Sequence, residues 1–183
     1  MTQQQARDRL RALIAEHSLL TGGSFRLASG ASSSLFFDMK KTILHPEGAN
    51  LIADLMLDII DDDGVDYVGG MAMGGVPLVA ALCVKSLSRR PLNAFFVRKE
   101  TKDHGTQKLI DGPFEDGAPV VLVEDVTTTG GSIMKAVNAV RDRGSSVKRV
   151  VIVVDRLEGA VDNLAAEGIA LSALFTRDDF KTD

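Results

Sequence analysis

Very little in this chain can form a covalent or metal cross-link. Its 183 residues include one cysteine, Cys83, which excludes an internal disulfide and a cysteine-rich metal site. Cys83 lies in the apolar run VPLVAALCVK, where a buried thiol is the plain reading. The three histidines, His17, His45 and His104, lack metal-ligand spacing, which argues against a zinc centre. Nowhere do 18 apolar residues run together, and MTQQQARDRL at the start has no apolar signal core. The expectation is a cytoplasmic protein with no membrane partner. A net charge of −4 argues against a general nucleic-acid binder but allows a local basic patch. Repeats and low-complexity linkers are absent. So are two nucleotide signatures. Gly70 and Gly75 have the glycine spacing of a GxxxxGK[ST] loop, but Val76 stands where lysine is needed. No GxGxxG follows any strand-like segment, so a P-loop NTPase and a standard dinucleotide fold are excluded.

The composition is that of a globular chain, 45% apolar and 25% charged, in a length that suits one domain with a sizeable core. Residues 4–17 place Ala6, Leu10, Leu13 and Ile14 on one helical face. Residues 24–38, rich in Ser and Gly, read as a small irregular or β section. A helix is expected over about 47–62, with Leu51, Leu55 and Ile59 on one face. Strands at 66–70, 93–99, 119–125, 148–155 and 169–175 then alternate with helices at 77–87, 132–143 and 158–167, the second capped by Gly144. Short apolar strands alternating with helices predict an α/β fold, a parallel sheet with helices on both faces. Ligands of such sheets bind at the carboxyl ends of strands. That directs attention to residues 70–76, 98–108, 124–132 and 155–156.

One of those ends is unusual. The apolar run Val120 to Val123 is followed at once by Glu124 and Asp125, then by Val126, Thr127, Thr128, Thr129, Gly130, Gly131 and Ser132. A carboxylate at a strand end can accept hydrogen bonds from ribose hydroxyls. Small residues opening a helix let backbone N–H groups converge on a phosphate, aided by the positive end of the helix dipole. Together they suggest a sugar phosphate; solvated acids ahead of an N-capping loop are the plainer alternative. A second end is basic. From Lys85 to Lys108 there are seven Lys or Arg against two acids. The stretch from Arg98 to Ala118 shows no apolar period. A long basic loop at a ligand edge suits a lid over a polyanion, and a solvated surface loop is its alternative. His104 lies in that cluster as a candidate phosphate donor. Arg156, just past its strand, is either a carboxylate partner or an ordinary surface arginine.

Taken in order, these segments resemble the type I phosphoribosyltransferases, and within them the branch that acts on orotate. VVLVEDVTTTGGS is similar to the family's motif for phosphoribosyl pyrophosphate (PRPP), and RKETKDHG to the catalytic loop of the orotate branch. FRLASGASSSLFFD resembles its N-terminal hood, and VVDR the strand ending in an orotate-contacting arginine. The resemblance spans about residues 5–176. It implies one phosphoribosyltransferase domain over 1–183, with a hood mainly in 1–45 plus the C-terminal segment, and a core at about 46–176. It also implies transfer of phosphoribosyl from PRPP to N1 of orotate, giving orotidine 5′-monophosphate and pyrophosphate, in de novo pyrimidine (UMP) synthesis.

The PRPP site so implied is Arg98, Lys99, Lys102, His104, Glu124, Asp125 and residues 126–132, with Lys102 and Asp125 as the catalytic residues. The implied orotate site is Thr128 and Arg156, with Phe36 and Phe37 flanking the ring; plain core packing is an equal reading of the two phenylalanines. Mg2+ is the implied cofactor, bridging pyrophosphate and ribose oxygens, with no metal site formed by the protein alone. A homodimer is implied, each basic loop acting in its neighbour's site. Two departures stand out. Ala28, and Gly74 or its neighbours in GGMAMGG, stand where many bacterial relatives have lysines, and Lys40 and Lys41, close to the hood segment, could substitute. A purine phosphoribosyltransferase and a non-catalytic PRPP-sensing regulator are the alternatives. RKETKDHG and Arg156 favour orotate, because an anionic base needs a cationic partner.

Overall fold

A computed structural model of the chain describes residues 1–26, 32–100 and 109–181. Helix α1 (Gln3–His17) starts with a capping box between Thr2 and Gln5 and buries Ala6, Leu10, Leu13 and Ile14, the face read from periodicity. Strands β1 (Leu19–Arg26) and β2 (Ser32–Phe37) pair antiparallel as a separate two-stranded sheet. The described parts of the Ser- and Gly-rich section therefore lie in paired strands. Helices α2 (Lys40–Ile43) and α3 (Pro46–Ile60) follow. Pro46 sits in the first turn of α3, where no N–H is needed, and His45 Nδ1 accepts the Gly48 N–H at 3.4 Å. α3 stops at Ile60, short of its expected end; Asp61–Asp63 form a 3-10 turn. Three carboxylates there oppose the negative end of the helix dipole.

The main body is β3 (Tyr67–Met71), α4 (Gly75–Ser86), β4 (Asn93–Val97), β5 (Ile110–Asp111), β6 (Val120–Thr127), α5 (Gly131–Arg141), β7 (Val147–Asp155), α6 (Ala160–Ala166) and β8 (Ala170–Thr176). α5 ends at Arg141 with Asp142 as its cap, so Gly144 stands two residues beyond the cap rather than at it. Six strands lie in the order β5-β4-β3-β6-β7-β8. All neighbours are parallel except β4 and β5. The antiparallel edge strand lies in the stretch read as a loop, because two residues are too few to show a period.

The strand order locates the ligand crevice. From β3 the chain builds outward through β4 and β5, then returns to set β6 on the other side of β3 and continues through β7 and β8. The order reverses between β3 and β6, and open α/β sheets bind ligands outside the carboxyl ends of strands at such a point. Successive β6 residues serve opposite layers. Val121 and Val123 join the core beneath α1, α3 and α4, while Val120 and Leu122 join the one beneath α5 and α6.

Phe95 of β4, 1% exposed, anchors the far edge: its ring centroid lies 4.7 Å from that of Phe114, which follows β5. Phe95→Ala should therefore destabilise the protein by about 3–5 kcal/mol in urea unfolding. A loss below about 1 kcal/mol would mean that the edge is not held by this contact.

Candidate active site

β6 carries Glu124 and Asp125 to the switch point. Glu124 is 6% exposed, and its Oε2 has no hydrogen-bond partner among the described residues. Asp125 Oδ1 accepts the Val126 N–H at 2.9 Å. Thr127 closes the strand, in register with Asp155 of β7. Gly130 then takes φ +82°, a conformation that residues with a Cβ rarely adopt, and α5 begins at Gly131. The first N–H groups of α5 lack intrahelical partners and stand at the positive end of its dipole. Asn163 of α6 donates through Nδ2 to Thr129 O at 2.8 Å and fixes the loop from the side.

Two cavities meet here. The first, about 500 Å³, is lined by Glu124 and residues 126–132, with Met71, Lys99 and Lys135. The second, about 380 Å³, shares Met71, Lys99, Glu124 and Ser132 and adds Lys40, Asp125 and residues 72–74. The Ala72–Met73 peptide beside it is cis. Gly74 lies directly against Asp125: a Cβ at Gly74 would be 2.7 Å from Oδ1. A groove with amides and cations around a buried acid pair can hold a polyanion bearing hydroxyl groups.

Burial pushes the Glu124 carboxyl up to about 7; the Ser132 hydroxyl bonded to it pulls down, and the neighbouring Asp125 charge pushes up further. Burial also raises Asp125, against the Val126 N–H, its own N–H and the Lys40 charge, which lower it. A raised carboxyl pKa means that the folded state holds its proton more tightly than the unfolded chain. Stability is therefore undiminished below the ordinary value of 4.5 and falls as pH rises to about 7. The fall is on the order of 3 kcal/mol. Glu124→Gln should flatten this part of the stability-against-pH curve in denaturant titrations of the free protein. An unchanged slope would contradict the assignment.

Glu124, Val126, Thr127, Thr128, Thr129, Gly130, Gly131, Ser132 and Lys99 converge on the first cavity, and Asp125 on the second. Other expected residues do not join them. The Arg98 guanidinium pairs with Asp111 of β5 and lies 5.6 Å from the Phe96 ring centroid, and Arg98 lines neither cavity. Phe37 is a core residue, 6% exposed and 5.3 Å from the Phe180 ring, because alternate β2 side chains face opposite ways. Phe36, on the other face, stacks on Phe25 at 5.6 Å. Arg156 is 5% exposed; its Nε is 3.2 Å from Glu158 Oε1, and its backbone N–H donates to the Thr127 carbonyl at 3.0 Å. Lys102 and His104 lie outside the described residues. Met71 falls in the 70–76 stretch to which the sequence pointed, whereas sequence reasoning missed Lys135 and Asn163. Lys135 stands four residues after Gly131, one helical turn along α5 from the loop, and that spacing could have found it.

The phosphoribosyl transferase domain family matches residues 39–169. An orotate phosphoribosyltransferase of Bradyrhizobium sp. (strain ORS 278) is 43% identical over 185 residues, covering 98% of this chain and 100% of that protein. The crystal structure of Mycobacterium tuberculosis H37Rv orotate phosphoribosyltransferase with Fe(III) dicitrate has a TM-score of 0.84 at 35% identity, covering 97% of this chain and 99% of that one. The structure of that protein with PRPP has a TM-score of 0.80 at 33% identity, covering 96% and 98%. The helix-covered, mostly parallel sheet, the acid pair at its switch point and these full-length similarities agree: the chain belongs to the phosphoribosyltransferase family, in the branch of the orotate phosphoribosyltransferases.

Proposed function

We propose that this chain transfers the phosphoribosyl group of PRPP to N1 of orotate, releasing pyrophosphate and forming orotidine 5′-monophosphate in pyrimidine (UMP) synthesis. The observation that carries the reading is the cavity over residues 126–132, where the start of α5 faces a buried acid pair at the sheet's switch point. N1 of orotate attacks C1′ as the bond from C1′ to the pyrophosphate oxygen breaks, through a transition state with positive charge on the sugar, and the N1 proton passes to the departing pyrophosphate or to water. The protein's task is placement and electrostatic stabilisation. Glu124 and Asp125 hold the ribose hydroxyls, and Asp125 stabilises the charge that develops on the ring. Amides and hydroxyls of residues 127–132 hold the 5′-phosphate. Arg98, Lys99, Lys102 and His104 meet the pyrophosphate, with Lys102 as catalytic cation. Thr128 and Arg156 take orotate, its carboxylate replacing Glu158 beside Arg156, and Phe36 offers a ring for the base.

The acid pair suits Mg2+, a hard cation, and Glu124 Oε2 has no hydrogen-bond partner among the described residues. Among the described residues no three His, Cys, Asp or Glu side chains gather into a metal site. That combination fits an ion held through one or two carboxylates and the substrate's own phosphates. Bound there, Mg2+ would neutralise charge on the departing pyrophosphate. A homodimer with loops exchanged between sites is part of the reading. Its support is the exposed apolar surface of α4 and the turn before it, where Met73 is 74%, Val84 75% and Leu87 77% exposed, and the turn of Arg98 away from its own chain's cavities. A cytoplasmic location suits the pathway; no described helix is long and apolar enough to cross a membrane.

Orotate absorbance should fall on addition of PRPP and Mg2+, with no turnover of adenine, hypoxanthine or uracil. Turnover of a purine instead would overturn the base assignment, and PRPP binding without any turnover would favour a regulator. Lys102→Ala should lower kcat by a factor on the order of a hundred or more while PRPP binding largely persists, because its contact forms chiefly in the transition state. Loss of PRPP binding with kcat preserved at saturation would assign Lys102 to ground-state binding.

A further inference from the structure

We propose that Lys40 is a substrate-binding residue on the pyrophosphate side of the site, supplying a cation that the adjacent loop cannot. The inference rests on the PRPP reading above. The second cavity is bounded by the loop of residues 71–74, and Gly74 presses so closely on Asp125 that a Cβ would lie 2.7 Å from one carboxylate oxygen and 3.0 Å from the other. No lysine side chain can leave the backbone at that point while Asp125 holds this position. Two lysines nonetheless line the cavity, and they come from elsewhere. Lys99 follows β4 and borders both cavities, whereas Lys40, at the start of α2, borders only the second. Lys41 borders neither.

The chemistry of the walls defines the occupant. Glu124 and Asp125 put negative charge on one side, with Lys40 and Lys99 around the same space. A polyanion carrying a divalent cation satisfies both, with its oxygens toward the ammonium groups and the cation toward the carboxylates. In the free protein the Lys40 ammonium lies 3.0 Å from Asp38 Oδ1, and its side chain is 66% exposed. The ammonium end of this pair is exposed and can turn toward a phosphate, although Asp38 Oδ1 is buried and makes no hydrogen bond among the described residues, so the exchange gives up a partly buried pair. Lys40 already acts on the site's electrostatics, since its charge favours the ionised form of Asp125.

Binding to Mg2+-pyrophosphate, PRPP and ribose 5-phosphate, measured by calorimetry, separates this role from a general effect on folding. Lys40→Met should weaken pyrophosphate and PRPP by about tenfold or more and leave ribose 5-phosphate within about twofold, as expected for one charged contact. Lys40→Arg should keep most of the affinity, and Lys41→Met should match the parent protein. Unchanged pyrophosphate affinity in Lys40→Met would overturn the proposal, as would equal weakening of ribose 5-phosphate. If the parent protein turns over orotate and Lys40→Met binds normally, only this inference falls. If the parent binds neither PRPP nor pyrophosphate, the functional reading falls with it.

Discussion

Two adjacent carboxylates at the end of a buried strand must be held where water can scarcely reach one of them. An ionised carboxylate removed from water is costly unless partners replace its hydration. Glu124 has the Ser132 hydroxyl on its carboxylate but no hydrogen-bond partner at Oε2 among the described residues. β6 can keep it there because it runs between β3 and β7 with apolar layers on both faces. Displacing the strand to relieve one side chain would disturb both cores. The cost therefore appears as a raised pKa and not as a distorted strand. A ligand bringing hydroxyl donors or a cation to that oxygen is favoured in proportion.

The surrounding geometry follows from the same strand. Because the order of strands reverses between β3 and β6, nothing from the sheet covers the ends of either, and the acids open into a crevice. Gly130 turns the chain sharply enough to start α5 beside them, and Asn163 reaches across from α6 to hold the turn. Gly74 brings the β3 loop against Asp125 and leaves the second cavity between them. The positive groups arrive from three places: Lys40 from the segment after β2, Lys99 after β4, and Lys135 on α5. This division sets cations around the acid pair from three directions.

Much of this was legible in the sequence, for a physical reason. Buried parallel strands are continuous apolar runs, so the abrupt change of polarity from Val123 to Glu124 marked the site, although β6 itself runs on to Thr127. The loop residues 126–132 were found because small residues before an amphipathic helix have a chemical meaning. What escaped depended on distance in the chain. Lys40 could be suspected, but only the folded loop at Gly74 separates it from Lys41. Asn163 acts on Thr129 from 34 residues away. β5 is too short to have a period, and its Asp111 takes the Arg98 side chain expected in the site. Phe36 and Phe37 are adjacent, so alternation along β2 sends them to opposite faces, and only one could have been a ligand contact.

On the function proposed above, the buried carboxyl of Glu124, raised to about 7, meets the substrate in its ionised form. A ligand that requires the ionised form expels the proton. Calorimetry of PRPP with Mg2+ near neutral pH, in buffers of different ionisation enthalpy, measures this directly. Net proton release is expected in the parent protein, and its loss in Glu124→Gln after the ligand's own ionisation is subtracted. Equal proton release in the two proteins would contradict it, because the acid pair would then not be the group that responds to the ligand.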